Sequence, residues 1–133
     1  MATSSVPQSQ SGRNRALAGT VLHAALLAFI AFMLWRAPSV KQKFDEFGLT
    51  LPWLTVKIFQ LSNWFNDNKV PASLAFSLYI SIDMALLQSL GKYKRSNQLI
   101  CISAIGLLLL VIAIILTVSI ELPMIKLQEG LTH

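Results

Sequence analysis

Polar and apolar residues in this chain fall in long blocks, not short alternations. Three blocks, residues 16–36, 70–90 and 99–121, are almost wholly apolar. At ~1.5 Å of rise per residue each is long enough, as a helix, to cross a hydrocarbon core of ~30 Å. A signal peptide is the rival reading of the first block, because Arg13 and Arg15 precede it. The block ends in Met33-Leu34-Trp35-Arg36 and not in the small-x-small site that follows a signal peptide's apolar core, which favours an uncleaved anchor. Residues 37–69 are patterned differently. Gly48 marks a turn and Pro52 opens a helix over 52–66, since proline's fixed φ suits a first helical turn. Leu54, Ile58, Leu61 and Phe65 recur at helical spacing, and Lys57, Gln60, Asn63 and Asp67 form a polar stripe. Trp53 and Trp64 stand near the two ends, where indole rings favour a membrane–water boundary. This pattern predicts an amphipathic helix lying in the interface. Phe44 and Phe47, three apart, suggest another turn or two resting on the same surface.

The remaining segments are short. Residues 1–15, rich in Ser, Gln and Asn, lack apolar periodicity and read as a disordered cytoplasmic tail. Residues 91–98 form a basic cytoplasmic loop, and Pro123 is expected to stop the third span, leaving a C-terminal tail over 122–133. In the second span Ser73, Ser77, Ser81 and Ala85 recur every four residues. This small-residue face would let a partner helix approach closely, unless the small residues are incidental. The expected fold is all-α: an integral membrane protein with three transmembrane helices and an amphipathic interfacial helix between the first and second.

Composition narrows the function. Hydrophobic residues make up 54% of the chain and charged residues 13%, with a mean hydropathy of +0.59, which excludes an ordinary soluble domain. The net charge of +5 comes from cations that flank the apolar blocks, so it implies orientation and lipid headgroup contact, not nucleic acid. Cys101 is the single cysteine, and no zinc spacing or cofactor motif occurs. There is no nucleophile–base arrangement and no Gly-rich phosphate loop. Asp45 and Glu46, adjacent on a helix, point apart and do not form an acid–base dyad. The chain reads as a non-enzyme. Arg13, Arg15, Lys92, Lys94 and Arg95 on one side roughly balance Arg36, Lys41, Lys43, Lys57 and Lys69 on the other. The short, dense basic loop tips the orientation towards N-terminus inside and C-terminus outside.

Ala37-Pro38, Lys43-Phe44, Phe47-Gly48, Leu51-Pro52, Thr55 and Ser62 occur in an order that resembles the signature of the type II secretion system F family. That family includes the inner-membrane platform proteins of type II secretion and type IV pili. Ile120-Glu121-Leu122-Pro123 is similar to the ending of the family's last span. The resemblance implies that residues 37–69 are the periplasmic connection between two spans, and it agrees with the N-inside orientation. Family members also carry two helical cytoplasmic domains, where this chain has only residues 1–15 and 91–98. Contact with an assembly ATPase is therefore not carried over.

Two ionisable residues fall inside the spans, His23 and Asp83. Such groups are costly in lipid and raise a functional question by default. His23 lies seven residues into the first span and Asp83 seven before the end of the second, so both sit about 10 Å from the cytoplasmic end. Matching depth on antiparallel helices predicts an interhelical hydrogen-bonded pair, with Ser103 or Gly106 of the third span beside it. The alternative is that each finds backbone, Thr20 or water separately. A proton relay needs more polar groups along a path than the third span offers in Ser103, Thr117 and Ser119. The reading is a structural or assembly component of a bacterial inner-membrane complex, surrounded by lipid and partnered by other subunits or by itself. An accessory subunit of an unrelated complex and a holin-like pore former are the other two classes.

Overall fold

The computed structural model describes residues 8–48, 50–93 and 95–131. It is helical throughout, with α1 at Gln8–Glu46, α2 at Trp53–Asp67, α3 at Lys69–Tyr93 and α4 at Arg95–Leu131. Helices α1, α3 and α4 are long and apolar enough to cross a membrane. Helix α1 touches all three others and is the axis of the bundle. Its buried residues make one stripe at helical spacing: Gly12, Ala16, Gly19, Thr20 and His23, then Ile30, Met33, Leu34, Ala37, Val40 and Phe44. The first half is small or polar, and backbones pack closely there. The second half is mostly large and apolar. It forms the hydrophobic core with Ile58 and Phe59 of α2 and with Leu109, Ala113, Leu116 and Ile120 of α4.

Four boundaries differ from the sequence expectation. Residues 91–98, expected as a loop, are helix over 91–93 at the end of α3 and over 95–98 at the start of α4, residue 94 lying outside those described. Helix α1 already begins at Gln8, so among the described residues the segment to residue 15 is helix and not irregular tail; residues 1–7 lie outside those described. The cause is tertiary: the Gly12 carbonyl is held by the buried Gln98 amide of α4 at 3.0 Å. Helix α1 also runs on through Pro38 to Glu46, so residues 37–46 continue the first span. Its stripe carries Phe44 inward, where the ring is 1% exposed and 6.5 Å from Phe59. Phe47 stays exposed, and the chain turns at Gly48, whose φ of 62° lies in the left-handed region that suits glycine after a helix. Helix α4 likewise passes through Pro123 instead of stopping there. Both helices outrun a bilayer: at ~1.5 Å per residue, α1's 39 residues span about 58 Å.

Gly19 marks a close approach of α1, α3 and α4. A Cβ there would stand 2.8 Å from Ile102 Cγ1 and 3.1 Å from Leu87 Cδ1. Gly19→Leu is expected to destabilise the bundle by about 1–3 kcal/mol through overpacking. At Gly106 the nearest atom to an added Cβ would be 3.6 Å away, so Gly106→Ala should be neutral or slightly stabilising. Thermal unfolding of both variants in mild detergent separates these outcomes.

Candidate functional site

A proline inside a helix has no N–H to give the carbonyl four residues earlier, so that acceptor is left without its helical partner. For Pro38 the orphan is the Leu34 carbonyl, and for Pro123 it is the Ser119 carbonyl. Both are taken by α2. Ser62 Oγ donates to Leu34 O at 2.5 Å and Asn66 Nδ2 donates to it at 3.2 Å, while Thr55 Oγ1 donates to Ser119 O at 3.1 Å. Thr55 and Ser62 are seven residues apart, two helical turns, and so share one face of α2. Both are buried, at 2% and 0% exposure. Helix α2 is thus latched to α1 and α4 through the two carbonyls that the prolines release. Hydroxyl groups of this kind are what allows proline inside helices at membrane depth. Nearby, Arg36 Nη1 meets Glu121 Oε1 at 3.0 Å across α1 and α4, a partly exposed pair worth at most ~1 kcal/mol.

The latch corrects the expected apolar face of α2. Thr55, Ile58, Phe59 and Ser62 are the buried residues, Phe65 is half-buried, and Leu54 and Leu61 are exposed. The hydropathy pattern weights Leu54 and Leu61 heavily, yet they precede Thr55 and Ser62 by one residue and lie about 100° around the helix. The stripe of Lys57, Gln60, Asn63 and Asp67 is exposed, as are Trp53 and Trp64. Pro52 caps α2 and does not open its first turn, its carbonyl accepting from Val56 N at 3.1 Å. Leu51 packs partly buried against the core.

Deeper in the bundle, His23 and Asp83 are in contact, 1% and 3% exposed. His23 Nδ1 is 3.1 Å from each carboxyl oxygen of Asp83, and His23 Nε2 is 3.1 Å from the carbonyl of Ile102 on α4. A carbonyl only accepts, so Nε2 must carry its hydrogen and donate. Nδ1 and the Asp83 carboxyl group make the other end of this tie, so the one ring links α1 to both α3 and α4. Gly106 lies against the ring, whereas Ser103 is exposed and takes no part. Thr20 Oγ1 donates to Met84 Sδ at 3.4 Å, a second tie between α1 and α3.

Gln98, assigned from sequence to the basic loop, lies fully buried at the start of α4. Its Nε2 donates to Gly12 O and Leu87 O, each at 3.0 Å, joining α1, α3 and α4. A single amide at the edge of a basic segment gave no signal of this. The face of Ser73, Ser77, Ser81 and Ala85 is exposed on α3. Its hydroxyls turn back to their own helix, donating to Val70 O, Ser73 O and Ser77 O at 2.8–3.0 Å. Among the described residues no three His, Cys, Asp or Glu side chains gather where they could hold a metal.

Compared with known protein families, curated proteins and solved structures, the chain matches none. Its chemistry is therefore read from these contacts alone, which are donors that tie helices together.

Asp83→Leu strands a buried imidazole and is expected to cost about 1–3 kcal/mol of stability. Asp83→Asn should cost less than half of that, because an amide can donate to the free Nδ1 of neutral His23. Equal losses in the two variants, followed by unfolding in detergent, would show that the pair's hydrogen bonding is not what matters.

Proposed function

We propose that this chain is a structural or assembly component of a bacterial inner-membrane complex, built as a minimal relative of the secretion and pilus platform proteins it resembles. One observation carries the proposal. Pro38, Thr55, Ser62 and Pro123, four residues of the resemblance, all take part in the α2 latch, with Asn66 beside them. A signature whose residues act together in one joint is better support than the same residues scattered. The role is architectural and not enzymatic: the bundle holds α2 at a fixed place and leaves its outer surface free.

Helix α2 then lies at the periplasmic interface, with the N-terminus in the cytoplasm. Leu54 and Leu61 face the hydrocarbon, Lys57, Gln60 and Asn63 face water, and Trp53 and Trp64 sit at the boundary, 74% and 56% exposed. The working surface is this outer face of α2.

Mild-detergent purification of the tagged protein from its native host, with identification of what accompanies it, tests the proposal. Pilin-like proteins, an assembly ATPase or outer-membrane secretion parts are the expected companions. Recovery of an unrelated large complex makes the chain an accessory subunit and overturns the platform reading. The double variant Thr55→Val with Ser62→Ala, which releases α2, is expected to lose the companions while α1, α3 and α4 remain inserted, as checked by protease accessibility.

A further inference from the structure

Below α2, between α1 and α3, the surface carries a groove of about 360 Å³ lined by Ala31, Phe65, Lys69, Ser73, Phe76 and Ser77. Phe65 of α2 and Phe76 of α3 meet edge to face, centroids 6.2 Å apart, and form one wall. Ser73 and Ser77 look polar in sequence but are apolar in effect, because each hydroxyl is already donated to its own helix, to Val70 O and Ser73 O. The groove therefore offers hydrocarbon contact along most of its length. Its one charge is Lys69, the first residue of α3. Lys69 is exposed and has no ion pair or hydrogen bond among the described residues, although Asp67 is only two positions away.

Depth fixes what can occupy such a groove. Lys69 begins a membrane-crossing helix, so its ammonium stands at headgroup level, and Ser77 lies about 12 Å further along the axis, among acyl chains. At that depth the neighbouring solvent is lipid, not water. A second groove supplies the contrast. It is of similar size, about 330 Å³, between α1 and α4, and is lined by Leu26, Phe29, Leu110, Ala113, Ile114, Thr117 and Val118 with no charged residue. It can take a chain without choosing a headgroup.

We infer that the Lys69 groove is a binding site for a glycerophospholipid of net negative charge, one acyl chain lying between α1 and α3 and the phosphate resting on Lys69. A zwitterionic lipid brings an ammonium of its own to the same place and is disfavoured. The inference needs only the bundle and the membrane; it stands whether or not the chain is a platform protein.

The test is native mass spectrometry of the full-length protein released from nanodiscs containing equal phosphatidylglycerol and phosphatidylethanolamine. The wild type should retain phosphatidylglycerol about fivefold over phosphatidylethanolamine, the preference expected of one lysine at a membrane surface. Lys69→Gln, a surface change that leaves the fold intact, should lose most of that preference, the remainder being what the other flanking cations hold. Ser77→Phe fills the groove and should remove the preference, while Thr117→Phe in the uncharged groove should leave it unchanged. No preference in the wild type, or an undiminished preference in Lys69→Gln, overturns the proposal whether or not Ser77→Phe folds. So does disulfide cross-linking of Ser77→Cys between two copies at high lipid-to-protein ratio, which would make a second chain the occupant.

Discussion

Two backbone carbonyls with no helical partner govern the architecture. Pro38 and Pro123 sit inside long helices that would otherwise run unbroken, and each leaves an acceptor unpaired in a setting where water is scarce. A lost helical hydrogen bond and a ring clash cost a helix interior about 3 kcal/mol or more, so the prolines need compensation. Helix α2 supplies it with Thr55 and Ser62. The same contacts that rescue α1 and α4 fix where α2 lies and how it is turned. Proline and hydroxyl are thus two halves of one device. It joins three helices with atoms that are polar but uncharged, and it needs no ion to be taken out of water.

The rest of the bundle follows the same logic. Among lipid tails, burying one apolar side chain against another gains little over burying it in lipid, so packing and polar ties must set the register. The ties occur at three levels: Gln98 at the start of α4, His23 with Asp83 and Ile102 further in, and the latch near the far end. Between them, α1 changes character along its stripe. Gly12, Ala16 and Gly19 bring backbones close where the polar ties are short, and Met33, Leu34, Val40 and Phe44 fill a conventional core where α2 adds a fourth helix. The ring of His23 spans the transition, with one nitrogen on α3 and the other on α4.

The three spans were readable in the sequence because hydrophobic length is a strong signal, and the meeting of His23 and Asp83 because depth can be counted from span ends. Helix limits were less readable. Proline normally ends a helix, and nothing local to Pro38 or Pro123 announces a hydroxyl that sits elsewhere in the chain and rescues the carbonyl behind it. The facing of α2 failed for a related reason. Hydrophobic periodicity ranks Leu54 and Leu61 above Thr55 and Ser62, but the docked face of α2 is the one whose side chains can donate to the carbonyls that the prolines release. Gln98 escaped because one amide beside a basic segment looks like a loop residue until α1 and α3 are in place. The residues that carry the resemblance included Thr55 and Ser62, but without a physical role for either.

A double-mutant cycle on unfolding in detergent, with Ser62→Ala and Pro38→Ala, tests the latch most directly. Alanine at 38 restores the N–H that the Leu34 carbonyl lacks. The account predicts that Ser62→Ala costs about 1–2 kcal/mol in the wild type and much less beside Pro38→Ala, a coupling of at least ~0.5 kcal/mol. Strict additivity of the two changes would contradict it, because the serine would then be serving something other than the carbonyl that the proline sets free.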